Sequence, residues 1–389
     1  MIIKDTPFKV TERIALVVKD SKEADIFTYG MVTNGLKNIT SFYSANEAYE
    51  VVIRQQFSLF VTRVEMKDMN GLILIQKMRE TGNYGTENHL VVCDSIDPAS
   101  LSIFFEYDLP YVIVSPFKKE NIIEKIKFMV EKENSLPPEE QLYRDARAAF
   151  NNNLLDMAED MLKSVLKMNA NSERAIILMG DVFMKRGKLD QAEEQFEKAI
   201  QINPKSFVAS SKLAGCFLSK GLFQKSTPLF NSLFEINKYN VKMLEKAGLS
   251  NIQSDDLDNA QKNINQLTKV DEKNPTASTL QVDVKIKKGE YDGLSQILSK
   301  THSEAEVVKI LNSAGVKLAK EKDPQSAIRM YKSCINEASA NHYLYAVFYN
   351  MGLAYKMLNS KEEAKEAFEK SISLKPDFEK AKTAIQNLG

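Results

Sequence analysis

The chain has 389 residues, too many for one ordinary hydrophobic core, so two domains or a repeat array are expected. With 43% hydrophobic and 27% charged residues it has the composition of a folded protein, and 52 basic against 52 acidic side chains leave no global field drawing it to nucleic acid or anionic lipid. Cys93, Cys216 and Cys334 stand apart with no CxxC pair, and no stretch approaches the ~20 apolar residues of a membrane helix. These features predict a cytoplasmic protein with reduced thiols, no membrane insertion and no nucleic-acid partner.

Catalytic equipment is not visible. His89, His302 and His342 lack metal-ligand spacing, and neither a Gly-rich phosphate loop nor a nucleophile elbow occurs. No enzyme activity, metal or cofactor is therefore expected.

Residues 1–11 read as an N-terminal tail. From 12 to 133, the short apolar runs RIALVVKD, FSLFVT, HLVVCDS and YVIVSPF alternate with amphipathic stretches such as ADIFTYGMVTNGLKN and LILIQKMRET. Strands alternating with helices predict a parallel sheet covered on both faces. The strand FVTR leads into MNG before the third helix, and SPF follows the last strand.

This layout resembles the receiver domain of bacterial response regulators, a doubly wound, flavodoxin-like α/β fold with a five-stranded parallel sheet. The resemblance implies an acidic pair for Mg²⁺ where Lys19 and Asp20 stand, a phospho-acceptor aspartate at Arg63, a hydroxyl at Cys93 or Asp94, and a lysine at Ser115. At most one acidic ligand remains, and a guanidinium is no nucleophile. Asp68 lies five residues after Arg63 but has no metal site beside it. The domain reads as a degenerate, phosphorylation-incompetent pseudo-receiver in which Arg63 pairs with Asp20, Asp94 or both. Receiver relatives dock through their last helices and strand, here about 101–133, which implies a homodimer contact or a second protein-docking surface.

Residues 134–138 form a short linker, where Leu136-Pro137-Pro138 breaks the last helix of the domain. From 139 to 376 the pattern changes. Small residues recur every 34 positions at Ala146, Gly180, Ala214 and Gly248, followed by Ala158, Ala192, Ser226 and Ala260, then by bulky Leu162, Phe196, Phe230 and Ile264. A small side chain where two helices cross and a bulky one in the adjoining gap describe an antiparallel helix pair. One pair cannot bury its apolar face alone, so the pairs stack. Gly187 and Gly221 mark turns, and the pattern returns at Gly315, Ala327 and Tyr331 and at Gly352, Ala364 and Phe368. A fifth pair around Gly289, with Val282 and Leu294 at the small positions, is expected to pack loosely. Residues 377–389, with Phe378, Ala381, Ile385 and Leu388 on one face, suit a capping helix.

These residues resemble about seven tetratricopeptide repeats, which implies an all-α superhelix whose first helices line a concave groove for a protein or peptide partner. The positions left over after core packing are Tyr143 and Arg147 in the first repeat and Arg174, Ile177, Asp181, Met184 and Lys185 in the second. Ser211 and Gly215 follow in the third, Tyr349 and Leu353 in the seventh. The aromatic run NHYLYAVFYNMGLAY is expected to serve packing. The whole reads as a bacterial signalling adaptor. A switch controlled by a ligand or partner and a scaffold of a motility or envelope assembly are the competing readings.

Overall fold

The computed structural model describes residues 13–81, 84, 87–337 and 343–388. The tail 1–11, His342 and the start of the aromatic run lie outside them. The described residues divide into two compact units. One reaches Asp255 and takes in Lys269–Asp271; the other comprises Asp256–Thr268 and everything from Glu272 on.

The first unit opens with β1 (Arg13–Val17), α1 (Ser21–Thr33), β2 (Asn38–Phe42), α2 (Ala45–Val52), β3 (Leu59–Arg63), α3 (Gly71–Glu80), β4 (Asn88–Cys93), α4 (Pro98–Glu106), β5 (Tyr111–Val114) and α5 (Lys119–Glu133). The five strands are parallel in the order β2-β1-β3-β4-β5. That order is doubly wound, with a reversal between β1 and β3 that opens a crevice at the carboxyl ends of the strands.

The apolar runs bury both faces of the sheet. Ile14, Leu16, Leu59, Val61, Leu90 and Val92 face α1 and α5, which supply Phe27, Met31, Ile122 and Ile126. Val64, Val91 and Cys93 pack on the other side with Leu72, Ile75, Ile103 and Phe104 of α3 and α4. Polar side chains start the helices: Asp20, Ser44, Asn70 and Asp97 each accept a backbone N–H of the first turn. Gly71 is required by closeness, since a Cβ there would lie 2.0 Å from the carbonyl oxygen of Arg63.

Helix pairs follow: α6 (Pro138–Asn151) with α7 (Leu155–Met168), α8 (Glu173–Lys185) with α9 (Leu189–Ile202), and α10 (Phe207–Ser219) with α11 (Phe223–Ile236). α12 (Val241–Gln253) closes this part of the unit, and α13 (Leu257–Val270) comes next in the chain. The repeated small and bulky positions do what their spacing predicts. Ala146, Ala158, Leu162, Ala192, Phe196, Ala214 and Phe230 are all fully buried. At Gly180 a Cβ would meet the Phe196 ring at 2.4 Å, so this crossing admits glycine alone. The turn between paired helices holds a left-handed residue at Asn153, Gly187, Gly221, Asp255, Gly289, Lys322 and Asn359. All but Lys322 are glycine, asparagine or aspartate, the residues that tolerate it best.

The second unit contains α14 (Pro275–Lys287), α15 (Leu294–Leu298), α16 (Glu304–Lys320), α17 (Pro324–Glu337), α18 (Leu344–Met357), α19 (Lys361–Leu374) and α20 (Glu379–Gln386). The fifth repeat is truncated: α15 has only 5 residues, and the left-handed pair Gly289 and Gly293 spends the length a second helix would have used. Val282 and Leu294 are nevertheless buried in the unit's core. Gly315 and Gly352 repeat the close approach of Gly180, against Tyr331 and Phe368. Phe378 sets its ring edge-on against Tyr345 and Tyr349, and α20 buries Ala381.

Candidate functional site

The carboxyl ends of β1, β3, β4 and β5 bring Lys19, Asp20, Arg63, Asp94 and Ser115 to one edge of the sheet. Arg63 is 1% exposed, one of the largest fully buried side chains of the protein. Its Nη1 donates to Glu23 Oε1 at 2.6 Å, its Nη2 donates to Asp94 Oδ1, and Glu65 Oε2 lies 3.6 Å from Nη2. Nε is buried and makes no hydrogen bond. Burial alone would lower the Arg63 pKa, but Asp94, Glu23 and Glu65 more than offset it, so the guanidinium is held charged. In return the Arg63 hydrogen bond holds the Asp94 carboxyl below the usual range, with help from the Ser115 hydroxyl.

Two expectations are corrected here. Asp20 is not a partner of Arg63: its carboxylate accepts Glu23 N–H at 2.8 Å and caps α1. Glu23, 4% exposed, takes the place beside Arg63 and also accepts Lys19 N–H at 3.2 Å. Cys93 does not face the site. Strand alternation turns it into the α3/α4 core, where burial pushes its thiol up to about 11, and Asp94 stands at the edge instead. Asp68 is committed elsewhere, accepting Ser44 Oγ at 2.7 Å and Asn46 N–H at 2.8 Å at the start of α2. Those bonds hold its carboxyl below the ordinary value, although burial works the other way. A divalent cation does not fit this edge, because Arg63 already supplies the positive charge that Glu23 and Asp94 answer.

The second constellation lies in the groove of the first repeats, where α4 and the turn after it approach α6, α8, α10 and α12. Asp108 Oδ2 accepts from Arg147 Nη1 and, at 3.2 Å, from the Tyr143 hydroxyl; Oδ1 lies 2.9 Å from Arg174 Nε. Arg147 Nη2 also reaches the Glu106 carbonyl at 3.3 Å, and the Arg174 guanidinium sits 4.1 Å above the Tyr143 ring. Glu106 accepts from Asn240 Nδ2, and Ser102 Oγ from Asn237 Nδ2. Burial pushes the Glu106 carboxyl up; Lys212, Asn240 and Lys246 oppose it.

Gln76, fully buried in α3, bonds the 239–241 turn in both directions. It donates to Tyr239 C=O at 3.0 Å and accepts Val241 N–H at 2.9 Å. Lys77 and Asp271 at 2.8 Å, Glu80 and Lys242 at 3.2 Å, and Arg144 and Glu133 add ion pairs. Tyr239 also packs against the α3/α4 apolar cluster.

Of the expected groove residues, Tyr143, Arg147 and Arg174 therefore meet the chain's own sheet domain, and Asp181 pairs with Lys212 at 2.8 Å. Ile177 is not an open position: it is 8% exposed and packs with Met184 into the core of the second and third repeats. Gly215 is likewise buried, with Lys246 Nζ 3.2 Å from where a Cβ would stand, whereas Ser211 is half-buried. Lys185 donates to Phe150 C=O at 3.1 Å across the repeat boundary. In the other unit Tyr349 packs on Phe368 and Phe378, and Leu353 is 37% exposed.

Sequence reasoning missed Glu23, Glu65, Gln76, Glu106, Asp108, Asn237 and Asn240. Two signals were available. Asp20-x-x-Glu23 has the spacing of a helix start, and Gln76 interrupts the apolar run LILIQKM.

The described helices include none long and apolar enough to cross a membrane. The tetratricopeptide repeat family model matches residues 174–206 and 345–378. None of the curated proteins matches the chain. Among solved structures, a tetratricopeptide repeat protein from Parabacteroides merdae is similar at 19% identity and a TM-score of 0.44, over 64% of this chain and 98% of that one. YrrB, a tetratricopeptide repeat protein with an unusual peptide-binding site, is similar at 14% identity and a TM-score of 0.32, over 58% and 97%. A CheY-like response regulator receiver domain protein from Methanospirillum hungatei is similar at 18% identity and a TM-score of 0.28, over 31% and 95%. The chain thus carries tetratricopeptide repeats behind a five-stranded parallel α/β domain.

Proposed function

We propose that the protein is a non-catalytic, cytoplasmic signalling adaptor, in which a phosphorylation-incompetent receiver-like domain is joined to a protein-binding repeat array. The observation that carries this reading is the buried Arg63 guanidinium, bonded to Glu23 and Asp94 at the edge of the sheet. A receiver would place there a carboxylate nucleophile and a metal. Here the site holds a side chain that cannot accept a phosphoryl group, and the carboxylates that could hold a cation are already answered. The charge balance of a phosphorylated receiver is replaced by a permanent internal one, so the domain keeps the shape of a switch without its chemistry.

The adaptor reading is tested by treating the full chain with acetyl phosphate and Mg²⁺ and weighing it, then capturing partners with the wild type and with Arg63→Met. No mass increase is expected, and partner capture should follow the stability of the sheet domain. A phosphorylated species would overturn the reading. A second reading, a switch thrown by a partner instead of phosphate, is favoured by the contact of Glu106 and Asp108 with the groove. Partner binding that opens this contact would support it.

A further inference from the structure

We propose that the groove of the first repeats is a receptor for an acidic protein segment, and that the Glu106–Tyr107–Asp108 turn fills it in cis as a competitor such a partner must displace. This rests on the reading of the array as a protein-binding surface and adds the chemistry of the partner and the state of the groove.

The turn itself is unusual for its backbone. Asp108 has φ 50, and Leu109 N–H donates to the Phe104 carbonyl at 2.8 Å, the pattern that ends helices on a left-handed residue. Glycine costs least there. The aspartate instead spends its carboxylate on Arg147, Arg174 and Tyr143, groups that belong to the repeats.

The groove presents a row of cations. Arg147, Arg174, Lys212 and Lys246 come one each from α6, α8, α10 and α12, and they meet Glu106, Asp108, the groove's own Asp181, and Glu140, which lies 3.1 Å from Arg174 Nη1. Lys246 is within electrostatic reach of Glu106 of the turn and of Asp181, although no ion pair closes on it among the described residues. An acidic segment that replaced the turn would meet the same row of cations. Hydrogen bonds and ion pairs join the two parts beside the packing of Tyr239 on the α3/α4 cluster, and interfaces between domains of one chain resemble transient ones. An arginine fork meeting a carboxylate gives geometric selection as well as charge.

The experiment uses the full chain. A fluorescent peptide of residues 98–111, PASLSIFFEYDLPY, is titrated into the wild type, Asp108→Gly and Asp108→Asn; a control peptide carries Gln and Asn in place of Glu106 and Asp108. Both substitutions suit the left-handed turn, so helix termination survives while the competing charge is lost.

The acidic peptide should bind both variants at least about tenfold more tightly than the wild type. It should outcompete the neutral peptide by a similar factor, and adding Arg147→Gln with Arg174→Gln should abolish the gain. Equal binding to wild type and variants, equal binding of acidic and neutral peptides, or no binding to any chain would overturn the proposal. If the peptide fails while partner capture persists, the adaptor reading stands and this inference alone falls.

Discussion

Two arginine–carboxylate clusters in the same unit show how burial decides what a charge pair does. At the sheet edge, Arg63 is 1% exposed and Glu23 is 4% exposed, and both lie within one domain. In the groove, Asp108 is 22% exposed, Arg147 21% and Arg174 45%, and the pairs join the sheet domain to the repeats. The first cluster is committed, because removing one member strands another in a medium that cannot solvate it. The second keeps partial access to water, so removing one member leaves the others better solvated than at Arg63. Identical chemistry thus stands closed to water at one site and partly open to it at the other.

The contrast can be broken first at Arg63. Arg63→Met should destabilise the sheet domain by about 3–5 kcal/mol, the usual cost of leaving a buried charge unpaired. Glu23→Gln combined with Arg63→Met should recover most of that loss in denaturant titration. If the single substitution costs nothing, the cluster is not the lock described.

Gln76→Ala comes next, since it orphans the part-buried Tyr239 carbonyl and the buried Val241 N–H. A cost of about 1–3 kcal/mol is expected, with unfolding of the sheet domain and the first repeats becoming less coincident by circular dichroism and fluorescence.

A third charged cluster supplies a pH test. Arg79 Nη1 lies 3.0 Å from Glu87 Oε1, and His89 Nε2 lies 2.8 Å from the same oxygen, its ring stacked on Phe60. Burial holds the His89 pKa below its ordinary 6.5, so the unfolded chain takes up the proton first. Stability is then retained above pH 6.5 and falls as pH drops below it, by up to about 1.4 kcal/mol per pH unit. Glu87, drawn down to about 2 chiefly by Arg79 against the opposing effect of burial, adds a loss that begins below its ordinary 4.5. Thermal melts of His89→Gln should lack the slope just below pH 6.5. A slope unchanged from wild type would rule out His89 as its source.

The smallest expected effect is at Asp108. Asp108→Gly should shift stability by less than about 1 kcal/mol, because the part-exposed pairs that are lost are offset by a left-handed turn that gains its preferred residue. A loss as large as that of Arg63→Met would mean that the groove contact is a second lock, and the comparison would collapse.

The architecture was legible for different reasons in its two parts. Period is a local property, so the recurrence of Ala146, Gly180, Ala214 and Gly248 announced helix pairs, and the left-handed turn at Gly187 and Gly221 followed from residue type. The sheet domain was readable from alternation and from MNG and SPF. The truncated α15 was only half legible: Gly289 and Gly293 mark turns, but how few helical residues remain between them and the next repeat depended on packing around Leu294 and Leu298.

What the sequence by itself determined is the set of elements and the arginine at the end of β3, since strand and helix periodicity and the identity of residue 63 need no long-range information. Which carboxylate meets that arginine was decided only in three dimensions. Asp20 and Glu23 are three residues apart, and helix geometry sends one to the cap and the other to the core. The occupant of the groove was decided in the same way: Asp108 meets Arg147 and Arg174 across separations that no local pattern records, because a charge pair between domains requires both surfaces to exist before it can form.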